Sequence, residues 1–291
     1  MSDQPELEFT GERFTPECVR EMAYEHWHRY AWAAEMVKGL DALDAACGEG
    51  YGSHLLATRA KSVVGVDIGE AAVAHARERY SGDNLRFEQA DATKLPCEDD
   101  RFDVVVSFET LEHLEAQETL LAEFRRVLRP DGFLVISSPD RKTYSDETGY
   151  DNPFHVRELY RDELESLISA VFPAYRFYGQ KLMFVSALWD LDDGEGRQFL
   201  IEDEGTLRAA HAPDYPPLYY VVVAAAEPSS LPPVAGLSLY GDRGESVYQH
   251  YNDEVARHIQ AGHLLAEREA EIERLRARLA RPWWRRIFRR S

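Results

Sequence analysis

The stretch Ala42-Leu-Asp44-Ala-Ala-Cys47-Gly48-Glu-Gly50-Tyr-Gly52 decides the fold of this chain. Its first five residues form a short, mostly apolar run that reads as a buried strand, and a helical pattern follows directly on the glycines. Glycines at 48, 50 and 52 permit a tight turn and close approach of a ligand to the backbone, while the next helix offers unpaired N–H groups at its first turn. A glycine run alone fits any nucleotide fold, and it also fits a turn without a ligand. The segments downstream separate these readings.

From residue 42 onward, β-branched runs alternate with helical stretches: ALDAA, SVVGVD, LRFEQAD, FDVVVSF and GFLVISSP, with helices around 51–60, 70–80 and 115–129. That alternation predicts a doubly wound α/β sheet, mostly parallel and Rossmann-like. The turn Arg129-Pro130-Asp131-Gly132 is expected to stop the third helix and launch the fifth strand. RELYRDELESLISA (157–170) reads as a further amphipathic helix, and RFYGQKLMFV and LYYVVVAAA as two strands able to pair as an antiparallel hairpin. The domain is expected over 41–226, with an acidic insertion at 187–217 read as a long loop, functional or disordered.

The strand ends carry acids. Asp67 closes the second strand, where a carboxylate can accept hydrogen bonds from both ribose hydroxyls of an adenosine. Asp91-Ala92 closes the third, placed to accept from an adenine amino group. A dinucleotide site expects Gly-x-Gly-x-x-Gly for a pyrophosphate; here the loop is Gly-x-Gly-x-Gly preceded by Asp44. An acid at that point suits a ligand with an ammonium and a sulfonium rather than phosphates. Each aspartate by itself is also readable as a simple strand-end cap.

Taken in order, these segments resemble the core of the class I S-adenosylmethionine-dependent methyltransferases. DAACGEGYG resembles the family's first motif, VVGVD its ribose-binding second and QADATKLP its adenine-binding third; RFDVVVSFETLEHL and LRPDGFLVIS resemble the fourth and fifth. The resemblance spans residues 42–139 and implies S-adenosylmethionine as cofactor, held by Asp44, Gly48, Gly50, Gly52, Asp67, Asp91, Ala92 and Phe108. It says much less about the acceptor.

After the fourth strand comes Phe108-Glu109-Thr-Leu-Glu112-His113, at the carboxyl edge where ligands of such folds collect. Similar Glu-x-x-Glu-His clusters occur in ubiquinone-biosynthesis O-methyltransferases and small-RNA 2′-O-methyltransferases, and that resemblance implies a divalent cation such as Mg²⁺ beside the acceptor hydroxyl. Glu109, Glu112 and His113 would be ligands, with His155 in NPFHVRELY as a fourth. Alternatively His113 is a general base, since an imidazole titrates near neutrality, or the cluster only shapes the pocket.

Upstream, residues 1–40 are expected to form lid or docking helices. In YEHWHRY, His26, Arg29 and Tyr30 fall on one helix face, as would suit a lid whose Arg29 pairs with the methionine carboxylate. GERFTPE with YEHWHRY also resembles methyltransferases of bacterial surface-polysaccharide gene clusters. The expected reaction is therefore O-methylation of a small-molecule or glycan hydroxyl. N-methylation of an amino sugar or amine, RNA 2′-O-methylation, and a cofactor-binding scaffold in glycan assembly are the alternatives.

Composition bounds these readings. With 44% apolar residues in 291, the chain can bury a full core. Its three cysteines are too few for a disulfide framework, the acidic N-terminus is unlike an export signal, and no apolar run reaches a membrane span, so a cytoplasmic protein is expected. A net charge of −19 makes broad nucleic-acid binding unfavourable. Residues 227–252 read as a Pro, Ser and Gly-rich linker, and 253–281 as a helix with Leu265, Ile272, Leu275 and Leu279 on one stripe, a possible short coiled coil. Glu271/Arg274 and Glu273/Arg276 are its expected polar pairs. The tail 282–291 interleaves Trp283, Trp284, Ile287 and Phe288 with arginines. It suits peripheral contact with an anionic membrane face, or equally pairing with an acidic surface or partner helix.

Overall fold

The computed structural model describes residue 15 and residues 21–183, 198–201, 207–210, 213 and 215–280. Two compact units divide the chain, Met1–Tyr240 and Gly241–Ser291.

The first unit is built on a seven-stranded sheet. Its strands are β1 (Asp41–Ala45), β2 (Ser62–Asp67), β3 (Leu85–Gln89), β4 (Phe102–Ser107), β5 (Leu128–Pro139), β6 (Ala174–Gln180) and β9 (Tyr219–Ala225), in the order β3-β2-β1-β4-β5-β9-β6. The first five pair in parallel, and β9 runs antiparallel between β5 and β6. The expected antiparallel hairpin is thus present, and it closes the sheet at one edge.

Alternation along the central strands sends side chains to two cores, because successive residues of a strand point to opposite faces. Leu43, Val64, Val105 and Leu134 pack with Leu120, Leu121 and Phe124 of α4 (Gln117–Val127) and with Leu164 and Ile168 of α5 (Arg161–Ser169). Ala42, Val63, Val104 and Val106 face the other way, against Tyr30 and Ala33 of α1 (Glu21–Met36), Val37 just beyond it, and Leu56 of α2 (Tyr51–Ala57). A third cluster joins Val73 and Ala76 of α3 (Glu70–Arg79) to Phe87.

Two local expectations are corrected. The helix expected over 115–129 ends at Val127, and Arg129-Pro130-Asp131-Gly132 lies inside β5 as a bulge: pairing with β4 jumps from Phe102↔Leu128 to Val104↔Phe133. Pro130 cannot donate to a ladder, so the strand steps around it. The insertion 187–217, expected as loop, contains a two-stranded antiparallel sheet of β7 (Gln198–Ile201) and β8 (Leu207–Ala210).

In the second unit, α6 runs from Ser246 to Leu279, starting seven residues before the helix read from sequence. Its ion pairs include Arg257–Glu254 at 2.5 Å and Arg268–Glu271 and Glu273–Arg276, each at 3.0 Å, so Glu271 pairs one turn back rather than forward to Arg274. The basic tail and the GERFTPE motif, apart from Thr15, lie outside the described residues. No helix among the described residues is long and apolar enough to cross a membrane.

Candidate active site

The order of strands reverses at β1: β2 and β3 build outward on one side, then the chain crosses back to place β4 on the other. Loops leaving the carboxyl ends of β1 and β4 must therefore diverge, and a crevice opens between them. Here it is a cavity of about 370 Å³. Ala46, Cys47 and Gly48 line it from β1, Asp67 and Ile68 from β2, Ala90, Asp91 and Ala92 from β3, and Phe108, Glu109, Thr110, His113 and Leu114 from β4. Helix α1 adds His26 and Tyr30, and α2 adds Tyr51.

Asp67 is held by backbone. The Gly48 N–H donates to its Oδ2 at 2.9 Å and the Gly69 N–H to its Oδ1 at 2.8 Å. Each carboxylate oxygen keeps a second lone pair, which is what two ribose hydroxyls would use. Asp91 accepts from both the amide (2.8 Å) and the hydroxyl (2.7 Å) of Thr93, and these bonds hold its carboxyl below the usual carboxylate range. Ala92 lines the cavity beside it.

The three glycines divide their labour. Gly48, at φ +56°, lines the cavity. Gly50, at φ +95°, and Gly52 do not: a Cβ on Gly50 would meet Ala76 and Phe87 at 2.8–2.9 Å, and one on Gly52 would meet the Tyr30 ring at 2.1 Å. Of the three, Gly48 lines the cavity, and the missing side chains of Gly50 and Gly52 make room for neighbouring side chains.

Asp44 likewise lies off the cavity wall. It is fully buried, with Oδ1 accepting from Tyr30 Oη at 3.0 Å and Oδ2 from Ser53 Oγ at 2.6 Å. Burial pushes its carboxyl up to about 7 despite those two bonds. Its direct work is to fasten α1 and α2 under the loop.

Arg29 is buried too and lies behind the wall rather than on it. Nη1 donates to Gln180 Oε1 at 2.9 Å and stands 3.7 Å from Glu109 Oε1, while the guanidinium carbon sits 4.9 Å from the Tyr219 ring centroid. Glu25 belongs to the same group, its carboxyl raised to about 7 by burial although Arg29 opposes the shift. Burial, with Arg29 adding to it, keeps the His26 imidazole well below its ordinary range, so that ring is neutral.

Glu109 does not join the cluster that the sequence suggested. Its backbone is left-handed at φ +50°, its N–H donates to Ser137 Oγ at 3.0 Å, and that hydroxyl donates back to Glu109 Oε1 at 2.6 Å. A non-glycine residue held in this region is strained, and here the reciprocal bonds to β5 hold it. Glu112, His113 and His155 do converge, with one ligand-type atom from each lying within 4.8 Å of the others. His113 Nδ1 is 3.0 Å from the Phe154 carbonyl oxygen and His155 Nδ1 is 2.6 Å from Glu158 Oε1. Both acceptors favour a proton on Nδ1, which leaves Nε2 as the basic nitrogen of each neutral ring.

Residues 43–136 match the family model for a methyltransferase domain. Over 235 residues, 79% of this chain and 83% of the relative, the sequence is 39% identical to a Mycobacterium tuberculosis protein named "probable S-adenosylmethionine-dependent methyltransferase". The chain belongs to the S-adenosylmethionine-dependent methyltransferases. The ubiquinone biosynthesis O-methyltransferase of Azorhizobium caulinodans is 31% identical over 129 residues, covering 44% of this chain and 51% of that protein. Among solved structures, the YcgJ protein of Bacillus subtilis matches with a TM-score of 0.51 at 18% identity, over 69% of this chain and all of that one, a likeness in fold.

Sequence reasoning about this methyltransferase missed Tyr51, Ser137, Gln180 and Tyr219. Ser137 left a faint signal, a hydroxyl at the end of an otherwise apolar strand. The partnership of Arg29 with Gln180 spans 151 positions and left none.

Proposed function

We propose that the protein transfers a methyl group from S-adenosylmethionine to a hydroxyl of a sugar or other small acceptor. The observation that carries this reading is His113, on the cavity wall with Nδ1 held by the Phe154 carbonyl, so that Nε2 is its basic nitrogen. The cofactor supplies a methyl on a sulfonium that departs as a neutral thioether. Asp67 and Asp91 hold the adenosine by its ribose and base. Phe108, Tyr30 and Tyr51 exclude water at the reacting end, and the chain's chief contribution is to position the two reactants in line. As the acceptor oxygen forms its bond to the methyl carbon, the hydroxyl proton passes to His113 Nε2.

Arg29 has a supporting role in this reading. From behind the cavity wall it stands beside Glu109 and donates to Gln180, so it supports the wall without touching the ligand. The relative from Azorhizobium caulinodans, an O-methyltransferase by name, favours oxygen over nitrogen as the acceptor atom. Methyl transfer from labelled cofactor to matched hydroxyl and amine acceptors tests the proposal. Labelling of amines alone would overturn it.

A divalent cation at Glu112, His113 and His155 is a second reading, favoured by their convergence and by the acceptors on both Nδ1 atoms, an arrangement that orients imidazoles for ligation. A cation there would lower the pKa of an acceptor hydroxyl. The two readings compete for His113 Nε2, so one protein cannot use both at once.

A further inference from the structure

The chain from Thr143 to Arg157 passes beside His113 and carries aromatic side chains that the core does not use. Tyr150 is 53% exposed and Phe154 is 47% exposed. Solitary exposed apolar residues are ordinary, but a group of them beside a cavity marks a binding surface. Here the backbone beneath them is pinned. The Val156 and Arg157 N–H groups donate to the Glu112 carbonyl at 2.8 and 3.0 Å, Phe154 N–H to Asn152 Oδ1 at 3.1 Å, and Tyr150 N–H to Thr148 Oγ1 at 3.1 Å. Asn152 is itself buried. A fixed backbone under exposed rings is a preorganised surface rather than a slack loop.

Tyr150 is joined to the site through a chain of rings, and Phe154 through its own carbonyl, which faces His113 Nδ1 at 3.0 Å. Tyr144 lies 6.0 Å from Tyr150 and 5.3 Å, stacked, from His155, whose ring meets His113 edge-on at 5.1 Å. On its other side Tyr144 lies 6.0 Å from Tyr219, the ring beneath Arg29. Charges of both signs flank them: Asp146, Glu147 and Asp151 are exposed, as are Arg141, Lys142 and Arg157, with Arg141 facing Asp146 at 3.8 Å and Arg157 facing Glu118 at 3.1 Å.

We propose that Tyr150 and Phe154 form an acceptor shelf that binds the pyranose ring carrying the methylated hydroxyl, an inference that rests on the sugar O-methyltransferase reading. A pyranose presents one face of C–H groups that packs on an aromatic ring and a rim of hydroxyls that donates to carboxylates. Aromatic rings interleaved with acids answer both features. An acyl chain makes no use of the carboxylates, and charges of both signs at the rim suit a neutral, hydroxyl-bearing ligand.

Saturation-transfer NMR on the full chain with methyl glucopyranoside, mannopyranoside and galactopyranoside, and with octyl glucoside, tests the shelf. Ring protons of at least one pyranoside are expected to receive saturation from the wild type, with affinity about tenfold weaker in Tyr150→Ala/Phe154→Ala, the scale of a lost aromatic contact. Cofactor affinity by calorimetry should be unchanged in that variant, showing that it folds. Equal pyranoside contact in both proteins, saturation confined to the octyl chain, or no contact with any pyranoside overturns the shelf. In the last case, methyl transfer to a non-sugar hydroxyl would leave O-methylation standing. Pyranoside contact with methyl transfer only to amines would overturn O-methylation and leave the shelf.

Discussion

The hydroxyl end of the Tyr30 ring of α1 presses on Gly52 of α2, so close that a Cβ at position 52 would meet its Cζ at 2.1 Å. The same tyrosine donates to buried Asp44 and lines the cavity. One side chain thus joins the N-terminal helix, the end of β1 and the ligand wall. Gly52→Ala is expected to displace Tyr30 and destabilise the fold by about 1–3 kcal/mol, the usual cost of overpacking. In Tyr30→Ala the ring is gone, so adding Gly52→Ala should cost little more. Chemical denaturation of the four proteins in this cycle checks it, and additive losses would mean that the two positions act separately.

Asp67 faces the cavity with its carboxylate already aimed by two backbone amides. Removing the carboxylate leaves those amides and the ribose hydroxyls unpaired. Asp67→Ala is expected to weaken S-adenosylmethionine binding by about 1.5–3 kcal/mol, the range for hydrogen bonds to a charged group. Titration calorimetry measures the change. An unaltered affinity would show that the ribose binds elsewhere.

The legible part of the site was the part carried by strand ends. Asp67 and Asp91 follow directly from the parallel alternation, because Asp67 ends β2 and Asp91 stands two residues past the end of β3, at the same edge. The less legible part depends on register and long-range packing. Ser137 reaches Glu109 because parallel pairing sets Ser107 opposite Ile136, and no local pattern fixes that pairing. Asp44 reads as a ligand-facing acid because it precedes the glycine loop, and in the structure Tyr30 of the preceding helix donates to it. Gly52 looked like room for a ligand, and the room is filled by that same ring. In the fold, Pro130 suggested a turn, and a bulged strand accommodates it instead.

Buried acids give the methyltransferase a pH signature. Asp44 and Glu25 both hold their protons up to about 7 in the folded chain because burial disfavours their charged forms. A folded pKa above the unfolded one means that the native state binds more protons between the two values, so stability falls as pH rises through that window. From these two groups stability should decline from about pH 4 to about pH 7 and then level off. Asp41 acts oppositely: bonds from Ser62 and Lys61 lower its carboxyl to about 2, so its contribution fades only in stronger acid. Asp44→Asn is expected to flatten the decline by on the order of 1–3 kcal/mol. Denaturation midpoints of both proteins at pH 5.5 and 8 test this; identical slopes would mean that Asp44 is ionised throughout.

Glu112, His113 and His155 present the sharpest choice, because the base and the cation readings make opposite demands on His113 Nε2. If His113 takes the hydroxyl proton, methyl transfer should persist in excess chelator, and His113→Ala should slow it by about 10²–10⁴-fold, the usual worth of a positioned base. If a cation binds there, chelator should abolish transfer and Mg²⁺ or Mn²⁺ should restore it, while calorimetry with Mn²⁺ alone should give heats that vanish in His155→Ala. His155 separates the cases further. As a ligand its loss removes the metal, whereas in the base reading it only packs edge-on against the His113 ring, 5.1 Å away, and its loss is mild. Glu112→Gln adds a third comparison: a cation loses a charged ligand while the shape of the pocket is kept. Chelator-resistant transfer, silent Mn²⁺ calorimetry and a mild His155→Ala phenotype would together assign the site to proton removal by His113.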